Sequence, residues 1–185
     1  MKELTIHHLD ELPQETTRVA EWIYREFWTD KEGYRPEYFE HLLLKATSKN
    51  EMPLSLLARV DEEPVGTINR IENDDEPLTH LRPWLAALYV VPKFRRKGVG
   101  CSLVLALLDE TWRLDFNELY LGTDNPTFYK KLGATFFEQA NKELVIMKFE
   151  RNGINIGEQR KNEEEKTHDC YTQTNMESDK RTTGK

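Results

Sequence analysis

Apolar and polar positions change period repeatedly along the chain, and each change marks an element. Residues 4–9 alternate and predict a strand. Residues 16–28 carry Val19, Ile23 and Phe27 at helical spacing, which predicts an amphipathic helix. Pro36 suits the first position of a second helix, with Phe39, Leu42, Leu43 and Ala46 as its apolar face. Residues 54–60 and 65–71 read as a hairpin across a turn at 61–64. Residues 84–91 are nearly all apolar, the pattern of a strand covered on both faces. Residues 98–113 predict a helix that turns Leu103, Val104, Leu107, Leu108 and Thr111 inward, followed by a strand at 118–122. That strand–helix–strand unit implies a parallel crossover. Asn125, Pro126 and Gly133 bracket a short helix as N-cap, first position and terminator. Residues 134–138 and 143–149 read as a closing hairpin. The fold class is therefore α/β, a mixed central sheet of about seven strands flanked by helices.

The pattern ends near residue 150. From Gly157 onward the chain is rich in Glu, Lys, Asn and Thr and poor in aliphatic residues, so burial cannot offset ordering entropy. Two regions are expected: a folded domain at 1–150 and a disordered polar tail at 151–185.

Composition narrows the function. The 185 residues carry a net charge of −7, which disfavours nucleic acid as a partner and mildly favours a cationic one. Cys101 and Cys170 form no disulfide framework, and no Cys/His spacing suggests zinc. Neither a leader-like apolar run at the N-terminus nor a membrane-length apolar stretch is present, so a cytoplasmic protein without membrane contact is expected.

The chemistry-bearing segment is Val91-Pro92-Lys93-Phe94-Arg95-Arg96-Lys97-Gly98-Val99-Gly100-Cys101, between a buried strand and a helix. The first N–H groups of a helix lack internal acceptors, and the helix dipole makes that end positive. Gly98 and Gly100 let a phosphate approach the backbone, and Lys93, Arg95, Arg96 and Lys97 add positive potential. The segment is neither a P-loop nor a dinucleotide fingerprint, because the required lysine pattern and third glycine are missing.

Arg95-x-x-Gly98-x-Gly100 resembles the Gln/Arg-x-x-Gly-x-Gly/Ala signature of the GNAT acetyltransferases. Phe128-Tyr129-Lys130-Lys131-Leu132-Gly133-Ala134 is similar to that superfamily's Phe-Tyr-x-x-Leu-Gly-Phe box, with Ala134 in place of the frequent Phe. The two boxes stand in the family's order and on the matching elements. The resemblance implies acetyl-CoA as cosubstrate and direct transfer of its acetyl group to a primary amine. It places the pyrophosphate on the amides of Arg96, Lys97, Gly98, Val99, Gly100 and Cys101. It places the pantetheine arm along Leu88, Tyr89 and Val90, with Asn125 holding that arm. By the same match Tyr129 protonates the leaving thiolate.

The general base stays open. Many family members carry a Glu on the strand before the loop, at a place that falls near Ala86 here. Glu72, Asp74, Asp75, Glu76 and His80, all upstream of that strand, are the candidates, with a water chain as the substitute. Trp28, Asp30, Glu32 and Tyr34 lie where the family shapes its acceptor pocket. A small amine metabolite or antibiotic is the favoured acceptor. The alternatives are a protein N-terminus or lysine, or an acyl-CoA-binding sensor with weak catalysis. Many relatives are dimers, so a homodimer is among the options.

Overall fold

Strands that carry apolar side chains on both faces need cover on both. The computed structural model, which describes residues 3–74 and 76–151, provides it with helices on either side of one sheet. The strands are β1 (Leu4–His8), β2 (Leu54–Val60), β3 (Glu63–Ile71), β4 (Trp84–Val90), β5 (Glu118–Thr123), β6 (Thr135–Gln139) and β7 (Val145–Glu150), ordered β1-β2-β3-β4-β5-β7-β6. Every neighbouring pair is antiparallel except β4 and β5, which run parallel and are joined through α3 (Val99–Arg113).

α1 (Thr16–Phe27) and α2 (Pro36–Leu43) cover one face, packing Val19, Ile23, Phe39 and Leu43 around Leu57 of β2. α3 covers the other, setting Leu103, Val104 and Leu107 against Leu56, Ala58 and Ile68. Each such side chain contributes about 1.5–3 kcal/mol by leaving water. α4 (Pro126–Lys131) adds Tyr129 to this second core.

Several details depart from expectation. The β2–β3 turn needs only Asp61 and Glu62, both left-handed at φ 46° and 69°, which matches the twist of the hairpin it closes. Pro64, expected in the turn, pairs with Arg59 inside the ladder next to a bulge. Leu42 is 38% exposed, because Phe39 and Leu43, four residues apart, define the inward stripe and Leu42 falls beside it. Only Trp84 and Leu85 of β4 are fully buried; the rest of the strand is half-covered. Asn125 precedes α4 but its side chain caps nothing; its backbone N–H donates to Thr123 Oγ1 at 3.0 Å. Cys101 is disulfide-bonded, which corrects the expectation of unpaired cysteines. Cys170 and the expected polar tail from residue 152 lie outside the described residues.

Gly66 of β3 sits where two backbones nearly touch. A Cβ there would lie 2.7 Å from the Tyr89 carbonyl oxygen and 3.2 Å from Leu103 Cδ1. Gly66→Ala is expected to lower the unfolding free energy by about 1–3 kcal/mol, read as a lower urea midpoint at unchanged slope. An unshifted midpoint would show that the strands part without cost.

Candidate active site

The loop between β4 and α3 is held from both ends. Val91 donates its N–H to Val65 O at 2.8 Å, and buried Phe94 anchors the middle. Arg96 and Gly98 then take left-handed conformations, φ 58° and 81°, and the chain enters α3. The first helical bond of α3 runs from Ser102 N to Gly98 O, 3.0 Å. The amides of Val99, Gly100 and Cys101 therefore have no acceptor within the helix and form its positive end.

The four cations of this segment divide into two pairs. Lys93 bonds Glu63 at 2.6 Å. Arg95 bonds Glu26 of α1 at 2.8 Å, donates from Nε to Val90 O at 2.8 Å, and lies 5.6 Å from the Tyr89 ring centroid. These two side chains tie the loop to the sheet and to α1. Arg96 and Lys97 make no ion pair among the described residues, so their charge remains for an incoming anion; Lys97 Nζ lies 5.5 Å from the Phe94 ring.

Beside the loop the sheet divides. β4 and β5 share one residue pair, Trp84 with Tyr120, supported by Tyr120 N–H donating to Pro83 O at 3.0 Å. Beyond it the two strands share no residue pair. β4 also bulges: Thr67 pairs with Tyr89 and Asn69 with Ala86, so Ala87 and Leu88 together oppose Ile68. Ala87 is left-handed at φ 49°, a strain that a non-glycine residue keeps only where its surroundings impose it. Leu88, Tyr89 and Val90 are half-buried along the open edge. Gly100 closes the corner: a Cβ on it would sit 3.6 Å from Phe128 Cζ and 3.7 Å from Val90 Cγ2, so the start of α3, the end of β4 and α4 converge.

Tyr129 stands on α4 with 9% exposure, its ring 4.9 Å from Phe128 in a T-shaped contact. Burial, helped by the charge of Asp124, pushes its phenol up to about 12, so it is a protonated donor at neutral pH. Asn125 is exposed one residue before α4.

The upstream acids lie elsewhere. Ile71 pairs with Trp84, so Glu72 and the segment after it leave from the end of β4 opposite Val90. Six strand residues separate those ends, about 20 Å. Glu72 is exposed and faces Arg82 at 3.9 Å, while Asp74 and His80 are exposed. Asp75 and the side chain of Glu76 lie outside the described residues. On β4 the single titratable side chain is Tyr89, whose pKa burial and Glu26 both raise. Between α1 and α2, Trp28 packs 4.3 Å from Tyr34, and its face carries the ammonium of Lys31 at 3.9 Å.

Sequence reasoning missed Glu26 as the partner of Arg95, the bulge at Ala87, and the buried polar residues Ser55, Thr67 and Asn69. The last three had a signal: polar side chains inside otherwise apolar strands. Among the described residues no group of three or more His, Cys, Asp or Glu could hold a metal ion. No helix among them is long and apolar enough to cross a membrane.

The fold has counterparts among known proteins. The family model described as Acetyltransferase (GNAT) family matches residues 18–134, and the chain belongs to that family. The family's cosubstrate is acetyl-CoA. Among solved structures, aminoglycoside 6'-acetyltransferase type Ii superposes with a TM-score of 0.62 at 22% identity, covering 82% of this chain and 99% of that one. The PaiA N-acetyltransferase of Thermoplasma acidophilum, crystallised with coenzyme A, gives 0.61 at 20% identity over 80% and 99%. A GNAT acetyltransferase of Streptococcus pneumoniae gives 0.60 at 18% over 80% and 100%. At these identities the likeness establishes the fold. No curated protein matches the chain in sequence.

Proposed function

We propose that this protein transfers the acetyl group of acetyl-CoA to a primary amine of a small molecule by direct attack. One observation carries the reading: the open edge of β4 leads into a loop whose helix-start amides lack helical acceptors and whose Arg96 and Lys97 make no ion pair among the described residues.

The fit to acetyl-CoA follows from these residues. The amides of residues 96–101 match a diphosphate, with Arg96 and Lys97 as counter-charges. The unpaired strand edge at Leu88, Tyr89 and Val90 has backbone groups to offer an extended amide-bearing arm, as sheet edges do for added strands. Asn125, exposed and capping nothing, adds a side-chain amide beside them. Tyr129 is neutral and its phenol is buried, which supports a role as proton donor to the departing thiolate.

A neutral amine then attacks the thioester carbonyl without a covalent enzyme intermediate. The exposed acids before β4 make poor bases for that step because they leave from the far end of the strand, so the amine's proton passes to solvent. The aminoglycoside 6'-acetyltransferase of like fold is consistent with a small amine as acceptor.

The test is calorimetric titration with acetyl-CoA followed by a thiol-release assay over kanamycin, spermidine and tryptamine. Binding with turnover supports the reading. Binding without turnover on any amine would make the protein an acyl-CoA-binding module, and absence of binding would reject both.

A further inference from the structure

Ser55, Asn69 and Ala86 form one cross-strand row, Ser55 opposite Asn69 and Asn69 opposite Ala86. Directly opposed residues on a sheet share a face at Cβ separations of about 5 Å. The row lies on the α1–α2 side. Leu57, two residues from Ser55, packs with those helices, whereas Arg70, next to Asn69, reaches across to Glu110 O of α3 at 3.1 Å.

Ser55 is 2% exposed and Asn69 6%, yet Ser55 Oγ and Asn69 Nδ2 have no hydrogen-bond partner among the described residues. The next row, Leu57–Thr67–Tyr89, has no such gap, because the Thr67 hydroxyl donates to Leu56 O at 2.9 Å. Buried polar groups without partners are costly and rare in folded proteins, and one cause is a ligand that supplies the missing bond. The row ends at Ala86, whose methyl adds no bulk, one residue before the bulge and on the strand that borders the divided sheet. Tyr129 belongs to the core on the opposite, α3 side. A thioester held in the division would thus have its leaving-group donor on one side and the unpaired amide on the other.

We propose that Asn69 and Ser55 form the positioning pair over Ala86, the Ser55 hydroxyl oxygen accepting an N–H of the attacking amine and Asn69 Nδ2 donating to the thioester carbonyl oxygen. This rests on the acyl-transfer reading. The acceptor ammonium first loses a proton to water. Its nitrogen then forms the N–C bond as the C–S bond breaks, the thiolate takes the Tyr129 proton, and the second proton released by the nitrogen returns through solvent to the Tyr129 phenolate. Asn69 and Ser55 are neutral and take no proton; Ser55 orients the nitrogen and Asn69 the carbonyl that it attacks. Proton removal therefore follows the acceptor's own basicity, not that of an enzyme carboxylate.

The experiment compares wild type, Asn69→Ala, Asn69→Asp and Ser55→Ala, using the fastest amine of the panel above and a second amine of different basicity. Acetyl-CoA affinity is measured for each variant as the check on folding. Asn69→Ala is expected to lower kcat/KM for the amine at least tenfold with unchanged acetyl-CoA affinity, and Ser55→Ala to lower it less. The wild-type rise of kcat/KM with pH should move with the amine used. Asn69→Asp should not recover the loss, because an ionised carboxylate cannot donate, and should add a limb common to both amines. Unchanged amine kinetics in Asn69→Ala with acetyl-CoA bound normally would overturn the proposal, as would a wild-type limb identical for both amines. A wild type that binds no acetyl-CoA would instead reject the acyl-transfer reading itself.

Discussion

Gly98→Glu is expected to abolish acetyl-CoA binding, with affinity reduced at least a hundredfold in a calorimetric titration. Two effects add. Gly98 holds φ 81°, and a side chain there costs about 1–2 kcal/mol to keep left-handed. The new carboxylate would also stand at the start of α3, where the free amides and the helix dipole favour an anion, so it would compete with a phosphate for the same donors. Gly98→Ala separates the effects, since it brings the backbone cost without the charge and should lose far less. If the Glu variant kept wild-type affinity, the loop would not be the anion cradle.

Removing one oxygen from Tyr129 is expected to lower kcat at least tenfold while acetyl-CoA affinity stays unchanged. The ring contact with Phe128 at 4.9 Å is available to Phe as to Tyr, so Tyr129→Phe should leave stability within about 1 kcal/mol of wild type. A phenol raised to about 12 stays protonated through neutral pH, so Tyr129 should add no alkaline fall in turnover until the medium is well above pH 10. The linkage sign agrees. The neutral form is favoured in the folded state, so its contribution is complete below the unfolded value near 10 and is lost as pH rises toward 12. Equal turnover in the Phe variant would remove Tyr129 from the chemistry and leave it as packing.

The elements were largely legible because local pattern and tertiary burial agree in them. The periodicity of residues 98–113 named five of the eight residues that α3 buries, and the strand–helix–strand spacing named the parallel pair. The glycine loop was legible because its chemistry is local, resting on backbone freedom at Gly98 and on consecutive cations. What escaped depends on partners far away in sequence. Nothing near Arg95 announces Glu26, 69 residues earlier, and nothing near Ala87 announces that Thr67 and Asn69 force a bulge. Nothing near Ser55 announces Asn69 either; only the β2–β3 register sets them side by side. Leu42 illustrates the reverse error, an apolar residue assigned inward on composition when the helical angle turns it outward.

Backbone bonding across the middle of the sheet is confined to the Trp84–Tyr120 end, where Trp84 is 1% exposed and its indole donates to Leu81 O at 2.7 Å. The four-stranded and three-stranded leaves are thus riveted at one margin and ajar at the other, like a hinged clip. A ligand lodged in the mouth would touch both leaves, so its binding should add to the grip that the shared α3 core already provides.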